Sequence, residues 1–189
     1  LQFGSGVVAA IDYFGPNEIV QMNPDVTTPP GSTIDHDAPD SPASRLIGFD
    51  GPNEGIGVLR ANLGNPAAPF PALAALAALV NPITHVEASD PALFVAHGTV
   101  DTSVPIHQSE RLVGALQTAG VNVTWRPSMG AGHGALGAAI DAEARAFLVL
   151  HLSDCDANGV LDADDVAAGT AADTDGGGIW SAAATSQLT

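Results

Sequence analysis

Ala92-Leu-Phe-Val-Ala-His97-Gly-Thr-Val-Asp101 is an apolar run that breaks into a short loop, and its reading decides the fold. Ala92–Ala96 is apolar throughout, as expected of a strand in a parallel sheet with helices over both faces. Downstream, Gln108–Ala119 sets Leu112, Val113, Leu116 and Ala119 on one helical face, with Gly120 where a glycine just past a helix end belongs. Val121–Trp125 reads as the next strand. Gly137–Leu150 follows as a helix with Ile140, Ala144, Phe147 and Leu148 on one side. Upstream, Val7–Ile11 is a β-branched run that predicts a buried strand turning at Asp12-Tyr13-Phe14-Gly15-Pro16. This alternation of strand and helix predicts an α/β parallel sheet with flanking helices.

Between the first two strands the pattern weakens. Residues Asn17 to Asn65 are rich in Pro, Gly, Asp and Asn, which predicts mostly loop with short helical pieces. Ala72–Leu79 has helical propensity, restricted at its start by Pro69 and Pro71 and at its end by Pro82. The apolar run Phe70–Val80 is too short to span a bilayer, so no membrane span is expected. The chain carries 21 acids against five Arg and no Lys, a net charge of −16 that would repel a phosphate backbone and argues against nucleic acid as a partner. Its single cysteine, Cys155, excludes a disulfide within the chain and reads as an unremarkable thiol in an acidic tail.

Chemistry is concentrated in two loops at the carboxyl ends of predicted strands, where parallel sheets place their active sites. Asp101 closes the first loop; His133, within Gly130-Ala-Gly-His-Gly134, lies in the second. An Asp and then a His in this order suits the last two members of a Ser…Asp…His triad, with the carboxylate orienting an imidazole that acts as base. Gly130, Gly132 and Gly134 would let the second loop bend back over the sheet edge. The plainer alternative is that Asp101 caps the loop before Val104-Pro105 and His133 is a surface residue. The paired motifs favour the triad. No Gly-x-Ser-x-Gly turn occurs anywhere, and Ser5 in Gly4-Ser5-Gly6 precedes a strand instead of joining a strand to a helix. His97 ends a strand and is expected to make a backbone hydrogen bond. His36, His85 and His107 lie in or near loops without the spacing of a helical metal site.

Four segments resemble the esterase/lipase group of α/β-hydrolases: Val8-Ala-Ala-Ile-Asp-Tyr-Phe-Gly-Pro16, Ser41-Pro-Ala-Ser-Arg-Leu-Ile-Gly48, Asn81-Pro-Ile-Thr-His-Val86 and Gln108-Ser109. That group includes feruloyl- and acetyl-esterase-like enzymes and shades into prolyl-oligopeptidase-type domains. In it, the stretch resembling Val8–Pro16 comes after the nucleophile elbow. The resemblance therefore implies that residues 1–152 are the C-terminal part of such a domain, with the N-terminal strands and the elbow missing. The chain also begins at Leu1, and any signal peptide would have been lost with that missing part. A departure from the group is Ala61–Val80, which looks like an insertion. The implied parent is a serine esterase acting on small-molecule or polysaccharide-linked esters, with this chain alone inactive. A prolyl-oligopeptidase-type peptidase and a non-catalytic remnant that binds a partner are the alternatives.

Residues 153–189 read as a separate calcium-binding tail. Asp154, Asp156, Asn158, Asp162 and Asp165 fall at positions one, three, five, nine and twelve of a calcium loop. Gly159 sits at the sharp turn, and Val160 offers its carbonyl at position seven. The pattern, with Asp at position twelve, resembles dockerin and thrombospondin type 3 repeats. A second copy opens at Asp173 but lacks the later acids, and a disordered acidic tail is the alternative. The resemblance implies bound Ca2+, a secreted or cell-surface location, and a protein or cell-surface partner for the tail.

Overall fold

The computed structural model describes residues 7–26 and 32–152. Ser5, Cys155 and the predicted calcium loop lie outside the described residues. β1 (Ala9–Tyr13), β2 (Ala92–Gly98) and β3 (Val123–Ser128) form a parallel sheet in the order β1-β2-β3. Ala9 lies opposite Ala92, and Leu93 opposite Val123. The sheet and its helices are part of an α/β fold.

β2 is the central strand, and alternation of its side chains explains why it had to be apolar throughout. Phe94 packs with Leu136 and Ala144, the latter on α5 (Ala138–Leu152), on one face. Val95 packs with Leu112, Val113 and Leu116 of α4 (His107–Ala119) on the other. Gly120 takes the left-handed conformation, φ 82°, that ends α4. β1 starts later and runs further than its β-branched residues predict: Val7 and Val8 are exposed, while Asp12 and Tyr13 pair with Val95 and Ala96. β3 is shifted in the same way and includes Pro127, which an edge strand tolerates.

The loop-rich stretch holds a second apolar core. α1 (Pro42–Leu46), α2 (Ile56–Ala61) and α3 (Phe70–Val80) surround Ile47, Phe49, Ile56, Leu59 and Ala77. Ser41 caps α1, accepting from Ser44 N at 3.1 Å, and Ser44 Oγ accepts from Ile56 N at 3.0 Å, so the short helices lock together through serines. α3 begins with Pro71 in its first turn, where a missing N–H costs nothing.

Gln108 ties this region to the sheet. Its Oε1 accepts from Asn17 N and Glu18 N, both at 2.8 Å, and its Nε2 donates to Asp25 at 2.7 Å. Arg111 completes the network by pairing with Asp25. The segment leaving β1 is thereby fixed against α4, beside the carboxyl end of the sheet. Among the described residues no helix is long and apolar enough to cross a membrane.

Candidate active site

The end of β2 and the loop after β3 are drawn together by backbone. A Cβ on Gly98 would sit 2.3 Å from the Ala131 carbonyl, so only glycine admits this approach. Val100 N donates to Ala131 O at 3.0 Å, and Gly130 N donates to Thr99 Oγ1 at 2.9 Å. Gly130 turns the loop with φ 75°. These contacts bring residues 101 and 133 to one place.

Asp101 has no exposed side-chain surface. Its Oδ1 accepts from Ser103 N at 2.7 Å and Val104 N at 2.9 Å, which is the capping role the sequence offered as the plainer alternative. Its Oδ2 lies 2.9 Å from His133 Nδ1. One carboxylate makes both sets of contacts. Because a carboxylate only accepts, the shared proton sits on Nδ1, and Nε2 of the neutral ring keeps its lone pair. The His133 side chain is 39% exposed, so the ring is held by a buried anion yet open to a reactant.

Residues that sequence reasoning did not place here complete the surroundings. Phe14 packs its ring 4.4 Å from the His133 imidazole and adopts φ 48°, a conformation rare for a bulky side chain. Such local strain is found where the surrounding structure holds a residue at a working site. His97 makes the backbone hydrogen bond expected of it, donating to Val104 O at 2.9 Å, but its Nε2 also lies 3.3 Å from Asp101 Oδ2. His36, likewise buried, is 2.9 Å from Ser103 O. Burial pushes both imidazoles below their ordinary range. Asp12, at the end of β1, shows the opposite effect: burial raises its carboxyl, and Oδ2 has no hydrogen-bond partner among the described residues. His85 lies apart, 2.7 Å from Leu79 O.

Beside His133 opens an apolar cavity of about 400 Å³, lined by Pro16, Ile19, Met22, Ile34, Ala43, Val104 and neighbouring residues. Its volume and apolar walls suit a small organic group, with the imidazole as one polar feature. No group of three or more His, Cys, Asp or Glu among the described residues could hold a metal ion.

A family profile described as BD-FAE matches residues 3–116, a span that includes Asp101 and stops before His133. Among solved structures, a truncated form of carbohydrate esterase from gut microbiota is 25% identical, with a TM-score of 0.56. That match covers 76% of this chain and 42% of the other. A bifunctional GH43-CE protein of Bacteroides eggerthii is 32% identical with a TM-score of 0.50, covering 76% of this chain and 17% of its own. The chain thus spans less than half the length of these two structures. No curated protein matches it.

Proposed function

This chain belongs to the BD-FAE family, and we propose that it supplies the Asp and His of a serine carboxylesterase acting on small or polysaccharide-linked esters. The observation that carries this reading is the 2.9 Å contact between a fully buried Asp101 and a partly exposed His133. His133 Nε2 takes the proton of a serine hydroxyl as that oxygen attacks the ester carbonyl. Asp101 stabilises the imidazolium, which then hands its proton to the departing alcohol. Water repeats the sequence to release the acid. The apolar cavity beside His133 receives the carbon skeleton of the substrate.

The serine comes from outside these 189 residues, since none of their serines stands in a Gly-x-Ser-x-Gly turn. The test is hydrolysis of p-nitrophenyl acetate by a polypeptide that joins these residues to such a segment. A rate indifferent to His133→Ala overturns the reading. The acidic tail is assigned Ca2+ through Asp154, Asp156, Asn158, the Val160 carbonyl, Asp162 and Asp165, on the strength of their spacing. A secreted enzyme tethered by that tail to a protein or cell-surface partner is the setting this implies.

A further inference from the structure

Ser109 on α4 and His97 at the end of β2 are fully buried, and their contact fixes a proton beside the candidate active site. The Ser109 hydroxyl lies 2.7 Å from His97 Nδ1, and the Val104 carbonyl 2.9 Å from His97 Nε2. A carbonyl only accepts, so Nε2 carries the proton and Nδ1 accepts from the hydroxyl. The charged and titratable groups facing this ring are Asp101, Asp12 and His133; burial outweighs the two carboxylates and favours the neutral form. His97 is therefore a neutral N–H dipole of fixed direction. That same Nε2 lies 3.3 Å from Asp101 Oδ2, the oxygen that accepts from His133. The other oxygen is already taken by two backbone amides.

Resting on the reading of Asp101 and His133 as an acid–base pair, we propose that His97 is a positioning residue for that pair. Its Nε2–H, oriented by Ser109, donates to the Val104 carbonyl, and the same nitrogen lies 3.3 Å from Asp101 Oδ2, so the positive end of the N–H dipole sits beside the oxygen that holds His133. A carboxylate presents about four lone-pair directions, and Ser103, Val104 and His133 meet three. Solvent does not reach the Asp101 side chain, so the His97 dipole acts on it without screening by water. Phe14 closes the same space, edge-on to His97 at 6.3 Å and tilted over His133 at 4.4 Å.

Heteronuclear NMR of the full 189-residue chain tests this in the wild type, His97→Leu and His97→Gln. In the wild type, His97 should be the neutral Nε2–H tautomer at neutral pH, and the His133 Nδ1 proton should give a downfield resonance at low temperature. His97→Leu removes the dipole beside Oδ2 and should move that resonance further downfield. His97→Gln places an amide N–H near the lost one and should return it toward the wild-type position. A purely packing role would lower the melting temperature and leave the resonance in place, which overturns the proposal. An Nδ1–H tautomer of wild-type His97 overturns it even if the leucine variant does not fold. A neutral wild-type His133 that carries its proton on Nε2 would refute the acid–base pair itself. A wild-type signal indifferent to His97→Leu refutes the role of His97 alone.

Discussion

At the residue scale, Asp101 answers two demands with one side chain: it turns the backbone before Val104-Pro105 and it holds His133. Asp101→Asn can preserve the turn while supplying an amide where the imidazole needs an acceptor. In a polypeptide that also contains the nucleophile, Asp101→Asn or His133→Ala should lower the esterase rate by about four orders of magnitude. Stopped assays on p-nitrophenyl acetate would show it, and a loss of only a few-fold removes that residue from the mechanism. These two positions were legible because chain order, strand ends and flanking glycines all appear in sequence. Phe14 was not, because contact between the end of β1 and a loop more than 100 residues later leaves no spacing signal; His97 was legible for its backbone hydrogen bond and not for its approach to Asp101.

Buried imidazoles also set a pH dependence. His36 and His97 are held below the ordinary 6.5 by burial. Below that pH the unfolded chain binds protons that the folded chain refuses, so their contribution is intact above 6.5 and is lost as pH falls through the folded values. Each should cost at most about 1.4 kcal/mol per pH unit in that window. Asp12 works in the other direction at lower pH: its raised carboxyl binds a proton more readily when folded. Urea unfolding at a series of pH values should show stability declining on acidification from neutrality, with a shallower slope in His36→Gln. A flat profile would mean the two rings take protons as freely in the fold as outside it.

At the scale of elements, the three longer helices were read well, β2 was read two residues short, and β1 and β3 lie two to three residues later than their sequences predict. α4 and α5 follow the 3.6-residue repeat, and Leu112, Val113, Leu116 and Ala144 are buried as that repeat requires. Strand ends depend on pairing partners: Asp12 and Tyr13 are polar or turn-like by composition, yet Val95 and Ala96 draw them into the ladder. The core around Ile56 and Leu59 was hidden for a related reason, since its helices are five to eleven residues long and give little periodicity. Gln108 shows how much such a region owes to a single side chain. Gln108→Leu leaves the Asn17 and Glu18 amides and the buried Asp25 carboxylate short of partners. Unsatisfied buried groups cost about 1–3 kcal/mol each, so the variant should lose about 2–4 kcal/mol of unfolding free energy. Calorimetry or urea titration would measure it; a loss under about 1 kcal/mol would mean water replaces the amide.

At the scale of the whole molecule, the sheet has an open side. Among the described residues β1 pairs only with β2, and Val7, Val8 and Ile11 near that edge are exposed. Unpaired backbone with apolar neighbours promotes association. Light scattering on the isolated chain should therefore detect species heavier than a monomer at micromolar concentration. A monodisperse monomer that unfolds cooperatively would show that this edge is sufficiently protected as it stands.

Charge distribution gives the last expectation. Seven of the 21 acids fall between Asp154 and Asp175, so with no cation bound these carboxylates repel one another over a short stretch. A divalent cation with several oxygen ligands offsets that repulsion, and the alternation from Asp154 to Asp165 supplies oxygens at the positions a calcium loop uses. Extracellular modules of this type bind at about 0.1–1 mM, a range matched to secretion and too weak for a cytosolic role. Calorimetric titration of the full chain should reveal one dominant site that is lost in Asp154→Ala. The copy at Asp173 carries Ser181 and Ala184 where later acids would stand, so it should add little heat. Two equal sites would show that carbonyls or water substitute for those acids. Absence of heat and spectral change at millimolar calcium would identify the tail as a solvated acidic linker and remove Ca2+ from the account of this protein.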